Sequence, residues 1–241
     1  MAEIENWQYY CYDEIGSTND EIKKFCLQKE KKVVVRALSQ TAGRGRRGRK
    51  WVTKAGNLFF SVALEFDLKN LGQLVIISSL SLAQSVKFLS ADANVKLKWP
   101  NDVLLDGKKM SGILMEKAEG EYIIVGIGVN VAESPKEGTL LYPATSLAEN
   151  GINTDAENFL QIYLHKFNEN LQKYSAGEYE SLRSEWMDFA KGVGDKIVIR
   201  QEQKQLKGIF AGIDEQANLL LQCKNETIKV MVGDVFYETE V

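Results

Sequence analysis

The chain has 241 residues, 44% hydrophobic and 26% charged, enough for one sizeable core and a smaller appended domain. Three prolines, no apolar tract of about 18 residues and no charged-then-apolar leader set aside a disordered linker, a membrane span and a secretory precursor, so the cytoplasm is the expected compartment. The formal charge is only −3, Cys11, Cys26 and Cys223 are scattered, and His165 is the sole histidine, which argues against a disulfide framework, a structural zinc or a histidine-based triad.

In chain order, Trp7, Tyr9 and Cys11 alternate with polar neighbours and read as a strand. Thr18 and Glu21 form a capping box that opens a helix through Ile22, Phe25 and Cys26. Residues 33–38 and 58–66 read as buried strands. Between them, Gly43-Arg44-Gly45-Arg46-Arg47-Gly48-Arg49-Lys50-Trp51 holds four of the seven arginines and falls in a loop at a sheet end. Residues 74–89 carry apolar side chains at helical spacing without glycine or proline, predicting a long helix with a largely buried face. Residues 95–99 form a short strand closed by Pro100, and 103–105, Asp106-Gly107 and 109–116 form a β-hairpin. Residues 122–131 make another strand, in which Gly126 and Gly128 predict a close approach by another group.

Phe159, Tyr163, Phe167, Leu171 and Tyr174 make one helical stripe, and a shorter helix with Leu182, Trp186 and Phe189 follows Gly177. His165 lies roughly 160° from Phe167 at about 100° per residue, facing water. From about Gly192 the pattern changes to short strands at 196–200, 206–213, 219–222 and 228–232, a small β-barrel or sandwich with its boundary near residue 190.

Glycines let the Arg/Gly segment fold closely around a ligand, and its guanidiniums match phosphate and carboxylate. Repulsion among its five cations predicts mobility that a bound anion would quench. An RNA-binding or localisation patch has the same composition, and the loop alone leaves both readings open. Lys98-Trp99-Pro100-Asn101-Asp102, followed by Lys108 and Lys109, gathers an amide, a carboxylate and lysines at a strand end. A turn at Pro100-Asn101-Asp102 and a solvated Lys109 account for the same residues conformationally. Residues 126–130 lack the third glycine and the helix start of a dinucleotide fingerprint. Helix capping is a sufficient explanation of Ser17-Thr18-Asn19.

Taken together, GRGRRGRKW (43–51), KWPND (98–102), KKMSGILME (108–116), GIGVNV (126–131) and STN (17–19) resemble the signature of the biotin protein ligase family, in that order and at family-like spacing. The likeness runs from about residue 7 to the C-terminus; a lipoate ligase would be expected to carry a glycine-richer string at 43–51. It implies an α+β fold. A mixed, mostly antiparallel sheet flanked by helices, like that of class II aminoacyl-tRNA synthetases, would occupy 1–189, and a small SH3-like β-barrel 190–241. Only sixteen residues precede Ser17, so the short form without an N-terminal DNA-binding domain is expected.

The resemblance implies a two-step ligase. Biotin's carboxylate attacks the α-phosphate of ATP, releasing pyrophosphate, and biotinyl-5′-AMP then gives biotin to a lysine of a biotin carboxyl carrier protein domain, in acetyl-CoA carboxylase or another biotin-dependent carboxylase. Neither step needs an enzyme nucleophile, so placed cations, N–H groups and Mg²⁺ suffice, in keeping with the single histidine. Lys109, Asp102 and Arg46 match the family's catalytic positions, Lys109 bridging carboxylate and α-phosphate and Asp102 orienting the acceptor lysine or Mg²⁺. Ser17, Thr18 and Gln40 match contacts to the ureido ring, and Asn19, Gly43, Arg44, Arg46, Lys109 and Gly112 complete the biotin set. Arg44, Arg46, Arg47, Arg49, Trp51 and Asn130 match the ATP and adenylate set, with Tyr142 an offset candidate to face adenine. The implied partners are biotin, ATP with Mg²⁺ and the carrier protein, as monomer or homodimer, with neither DNA nor membrane. The competing class is a nucleic-acid-binding protein, against which the slight negative charge counts.

Overall fold

Two apolar runs flank the Arg/Gly segment, and both lie in the middle of a sheet. The computed structural model describes residues 2–30, 32–135, 143–201, 204–224 and 226–237. The larger sheet comprises β1 (Ala2–Ile4), β2 (Trp7–Ile15), β3 (Lys32–Gln40), β4 (Leu58–Glu65), β5 (Val95–Lys98), β6 (Asp102–Leu105), β7 (Lys108–Lys117) and β8 (Tyr122–Val129). Its order is β1-β2-β3-β4-β8-β7-β6-β5, with β2 and β3 parallel and the other neighbours antiparallel. This is the mixed, mostly antiparallel sheet expected. The Asp106-Gly107 turn has positive φ at both residues, 47° and 76°, as a tight primed hairpin requires.

Helices α1 (Thr18–Glu21), α2 (Lys23–Leu27), α3 (Leu71–Leu89), α4 (Ala156–Ser175) and α5 (Tyr179–Phe189) divide between the two faces. Val34, Phe60, Val62, Ile123 and Val125 pack with α3, α4 and α5. On the other face Val33, Val35, Ala63 and Ile124 meet Ile22 and Cys26. By length and composition the stretch Leu68–Leu89 is apolar enough to cross a membrane, yet most of it is buried in this core. Its serines belong there because each finds a partner: Ser78, Ser79, Ser81 and Ser85 donate to carbonyls four residues back. Ser79 and Ser81 also accept from Trp186 and Asn170, tying α3 to α5 and α4. The predicted stripe on α4 is the buried one, and His165 is exposed beside Glu5 and Glu169.

A second sheet comprises β9 (Lys196–Arg200), β10 (Gln205–Ile213), β11 (Leu219–Cys223), β12 (Glu226–Val230) and β13 (Asp234–Tyr237), antiparallel throughout in the order β12-β11-β10-β9-β13. This accords with the SH3-like unit expected, although among the described residues no pairing of β12 with β13 closes it into a barrel. One apolar cluster runs from Leu97 and Trp99 into Ile197, Ile199, Phe210 and Val235. Lys191 N–H donates to the Leu97 carbonyl (2.9 Å) and Trp99 Nε1 to that of Ala217 (3.0 Å), so the end of β5 is fixed against the second sheet.

Candidate active site

On the α1/α2 side of the larger sheet, the stretch that these two short helices leave uncovered carries small residues at consecutive inward positions. Ser61 pairs with Gly126, Leu114 with Gly126, and Gly112 with Gly128, so alternation puts three glycines on one side of β7 and β8. The result is a trough. A methyl group at Gly126 would run into Asn19, and one at Gly128 into the Trp51 indole, so the close approach expected at these glycines is made by those two side chains. The trough opens into a cleft of about 860 Å³, walled by the Arg/Gly loop, the 98–102 turn and, from the second sheet, Asp234 and Val235.

One end of the cleft is apolar and amide-lined. Ser17 caps α1 without a side-chain hydrogen bond, and Glu21 pairs with Lys24, so the expected capping box does not form. Thr18 is used differently. Its N–H and hydroxyl donate to Gln40 Oε1 (2.8 and 3.2 Å), while the Ser61 hydroxyl lies 2.8 Å from Thr18 Oγ1 and 2.6 Å from Asn19 Oδ1. Asn19 Nδ2, Trp51 Nε1 and Asn130 Oδ1 are buried without hydrogen-bond partners, and all three residues line the cleft. Unsatisfied buried groups are costly, which marks these as candidates for ligand contact.

The other end is cationic. Across the loop base, Trp51 N–H donates to the Gly43 carbonyl (3.0 Å) and Gly45 N–H to that of Arg49 (2.7 Å), with a single 3₁₀ turn at Arg46–Gly48 between. Arg47 and Gly48 have positive φ, 55° and 70°, which reverses the chain there. Arg46 donates to Asn101 Oδ1 (2.9 Å), whose own amide donates to the Ile113 carbonyl (2.6 Å). Burial pushes the Arg46 guanidinium below its usual value, and the nearby Asp234 and Asp102 oppose that shift. Lys109 pairs with Asp102 at 2.6 Å and stands 5.6 Å from the Trp51 ring centre, so it is no solvated hairpin lysine. Arg47 and Arg49 share the two oxygens of Asp234, at 2.8 and 3.1 Å. Arg44 turns to Asp20 and Glu116. Carboxylate pairing therefore offsets the cation repulsion that composition implies.

Ser17, Thr18, Asn19, Gln40, Gly112 and Asn130 thus line one cleft, as do Arg44, Arg46, Arg49, Trp51, Asp102 and Lys109. Gly43 sits in the loop base, where a methyl group would press on Gln40 and the Trp51 carbonyl. Arg47 reaches Asp234 from outside the lining, and Tyr142 lies outside the described residues. Asp20, Ser61 and Asp234 join the arrangement without having stood out in the sequence, and Glu116, the last residue of the 108–116 string, joins it with no role expected of it. They occupy ordinary helix and strand positions, and only tertiary contact singles them out.

Residues 12–130 match the biotin/lipoate A/B protein ligase family, and residues 194–237 match the biotin protein ligase C-terminal domain. The biotin–[acetyl-CoA-carboxylase] ligase of Paracoccus denitrificans is 32% identical over 232 residues, covering 92% of this chain and 97% of that protein. This chain belongs to the biotin protein ligase family. Among relatives, the biotin–[acetyl-CoA-carboxylase] ligase of Mycobacterium tuberculosis is 32% identical, covering 85% of this chain and 79% of its own. The biotin protein ligase of Aquifex aeolicus, solved in complex with biotin and ATP, superposes with a TM-score of 0.84 at 29% identity, covering 95% of this chain and 97% of that one. In this biotin ligase fold the amide end and the cationic end meet at Gly112 and Lys109, three positions apart on β7.

Proposed function

We infer that this chain is a biotin protein ligase: it activates biotin with ATP to biotinyl-5′-AMP and pyrophosphate, then transfers biotin to a lysine of a biotin carboxyl carrier domain. The observation that carries the mechanism is the cleft's two-ended chemistry, with Lys109 between the ends. A trough with fixed amide and hydroxyl partners suits the apolar bicycle and polar ureido group of biotin, because such a site rejects analogues that leave its polar groups unpaired. Thr18, Asn19 and Gln40 are already oriented by one another and by Ser61. Ser17 and Gly112 complete that end, and Trp51 forms its cover.

Biotin's carboxylate, directed along the trough, would reach Lys109 and Arg46, where an α-phosphate would also sit. Both cations are held by neutral or anionic acceptors before any substrate arrives, which is the preorganised charge that phosphoryl chemistry rewards. Arg47 and Arg49 would take the departing pyrophosphate, and Asn130 the adenine. In the second step Asp102 would accept the hydrogen bond of the incoming lysine once Lys109 has turned to phosphate. Mg²⁺, when bound, would neutralise phosphate charge. Among the described residues there is no cluster of three potential metal ligands, so phosphates and water would hold it, with Asp102 the candidate carboxylate.

We place the catalytic unit at 1–189 and the second unit at 190–241, in the cytoplasm, with acetyl-CoA carboxylase or a related biotin-dependent enzyme supplying the carrier. The nucleic-acid reading of the loop loses support because Arg44, Arg46, Arg47 and Arg49 all engage acceptors within the chain. The deciding experiment gives the purified protein biotin, ATP and Mg²⁺. Biotin-dependent pyrophosphate and a retained biotinyl-adenylate are expected, and no pyrophosphate would sink the reading.

A further inference from the structure

The loop enters the cleft beside Ser17, Thr18 and Asn19, and Arg44 stands at that end. Family likeness alone places Arg44 on the substrate, but its guanidinium has two other partners. Nη1 and Nη2 grip both oxygens of Asp20 at 2.6 and 2.8 Å. Nε and Nη2 lie 3.1 and 3.0 Å from Glu116 Oε1. Both edges of the fork are therefore occupied by carboxylates, the geometry in which arginine pairs most strongly. Lys23 joins the group, 3.0 Å from Asp20 and 3.5 Å from Glu116, so two cations balance two anions and no surplus charge is left to draw a phosphate.

The anchors lie on different elements. Asp20 follows Asn19 on α1, and Glu116 lies on β7 two positions beyond Leu114 on the trough side. Beside Arg44, Ala42 N–H donates to the Gly16 carbonyl (2.8 Å), and Arg44 pairs with Lys50 across the loop base. Arg44 thus ties the base of the loop to both walls of the amide end.

We propose that Arg44 is a strut and that Asp20 and Glu116 are positioning residues, which latch the Arg/Gly loop across the biotin end of the cleft and set how fast biotinyl-adenylate escapes. The proposal rests on the ligase reading for the identity of the retained product. Arg46 on Asn101 and Lys109 on Asp102 are separate from the latch, so releasing it leaves the activation machinery in place. The Asp20 carboxyl, held down to about 2 chiefly by its hydrogen bond with Arg44, stays ionised across physiological pH.

The test uses Asp20→Asn, Glu116→Gln and the double variant against wild type. First, trypsin is applied without ligand, since Arg44, Arg46, Arg47, Arg49 and Lys50 offer five cleavage points in the loop. Cleavage is expected about threefold faster in each single variant and about tenfold faster in the double, the scale of partly exposed ion pairs. Second, preformed biotinyl-adenylate is chased with excess biotin. Its release should quicken by similar factors while first-turnover pyrophosphate formation stays within about twofold. Arg44→Met should match the double variant in release, with no further gain when all three changes are combined. Unchanged cleavage and release in the double variant would overturn the latch. A loss of about a hundredfold in first-turnover pyrophosphate with Arg44→Met would also overturn it, by placing Arg44 on the phosphate. If wild type makes no biotin-dependent pyrophosphate, the ligase reading fails, and the trypsin comparison decides the latch separately.

Discussion

Lys109 shows what a residue's neighbours add to its identity. By spacing alone it is one of many lysines, but Asp102, Gly112 and Trp51 surround it at the junction of the two cleft ends. Lys109→Ala should lower biotin-dependent pyrophosphate formation by roughly two or more orders of magnitude, as removal of one preorganised charge-stabilising donor does. Near-native rates would remove Lys109 from the catalytic set. Asp20 gives a pH prediction with a definite sign. Its folded-state value is depressed from 3.8 to about 2, so its contribution to stability is complete above the ordinary value and lost as pH falls toward 2. Calorimetry should show a melting-temperature gap between wild type and Asp20→Asn that is constant from about pH 8 to 5 and closes between about pH 4 and 2. A gap that closed on raising the pH would contradict the assignment.

Among the elements, β7 and β8 do most to shape the site. A glycine in a strand weakens it, yet Gly112, Gly126 and Gly128 fall on one side of the pair, Gly112 facing Gly128, and clear the trough. The two glycines of β8 were visible in the sequence as a cue for close approach; their partners, Asn19 and Trp51, were not, because those residues arrive from α1 and from the loop. Gly128→Ala should displace the Trp51 indole, costing about 1–3 kcal/mol of stability and weakening biotin binding. Thermal unfolding and calorimetric titration measure both effects, and unaltered biotin affinity would show that the Trp51 position is irrelevant to the ligand. Helix α1 carries the opposite lesson. The pattern at Thr18 and Glu21 reads locally as a capping box, but the Thr18 hydroxyl finds Gln40 and Ser61 from neighbouring strands. Local spacing competes poorly with a buried tertiary partner.

At the scale of the whole molecule, the second sheet is part of the cleft as well as of the shared core. Asp234, at the start of β13, holds Arg47 and Arg49 together. Asp234→Ala should free both guanidiniums and raise the KM for ATP by a factor on the order of five, leaving biotin affinity measured without ATP unchanged. Equal KM values would reduce the contact to a surface pairing. Periodicity, turn chemistry and contiguous motifs are local properties of a chain, so the strands other than β1 and β13, the long buried α3, the 106–107 hairpin, the change of pattern near residue 190 and the family were all legible in the sequence. The single histidine likewise pointed away from triads toward placed cations. Tertiary structure alone decided which cation faces which carboxylate. Asp20, Glu116 and Asp234 carry no distinguishing spacing, and the 187 positions separating Arg47 from Asp234 leave no trace in any local pattern. An ion pair of that kind exists only once both sheets have packed around their common core.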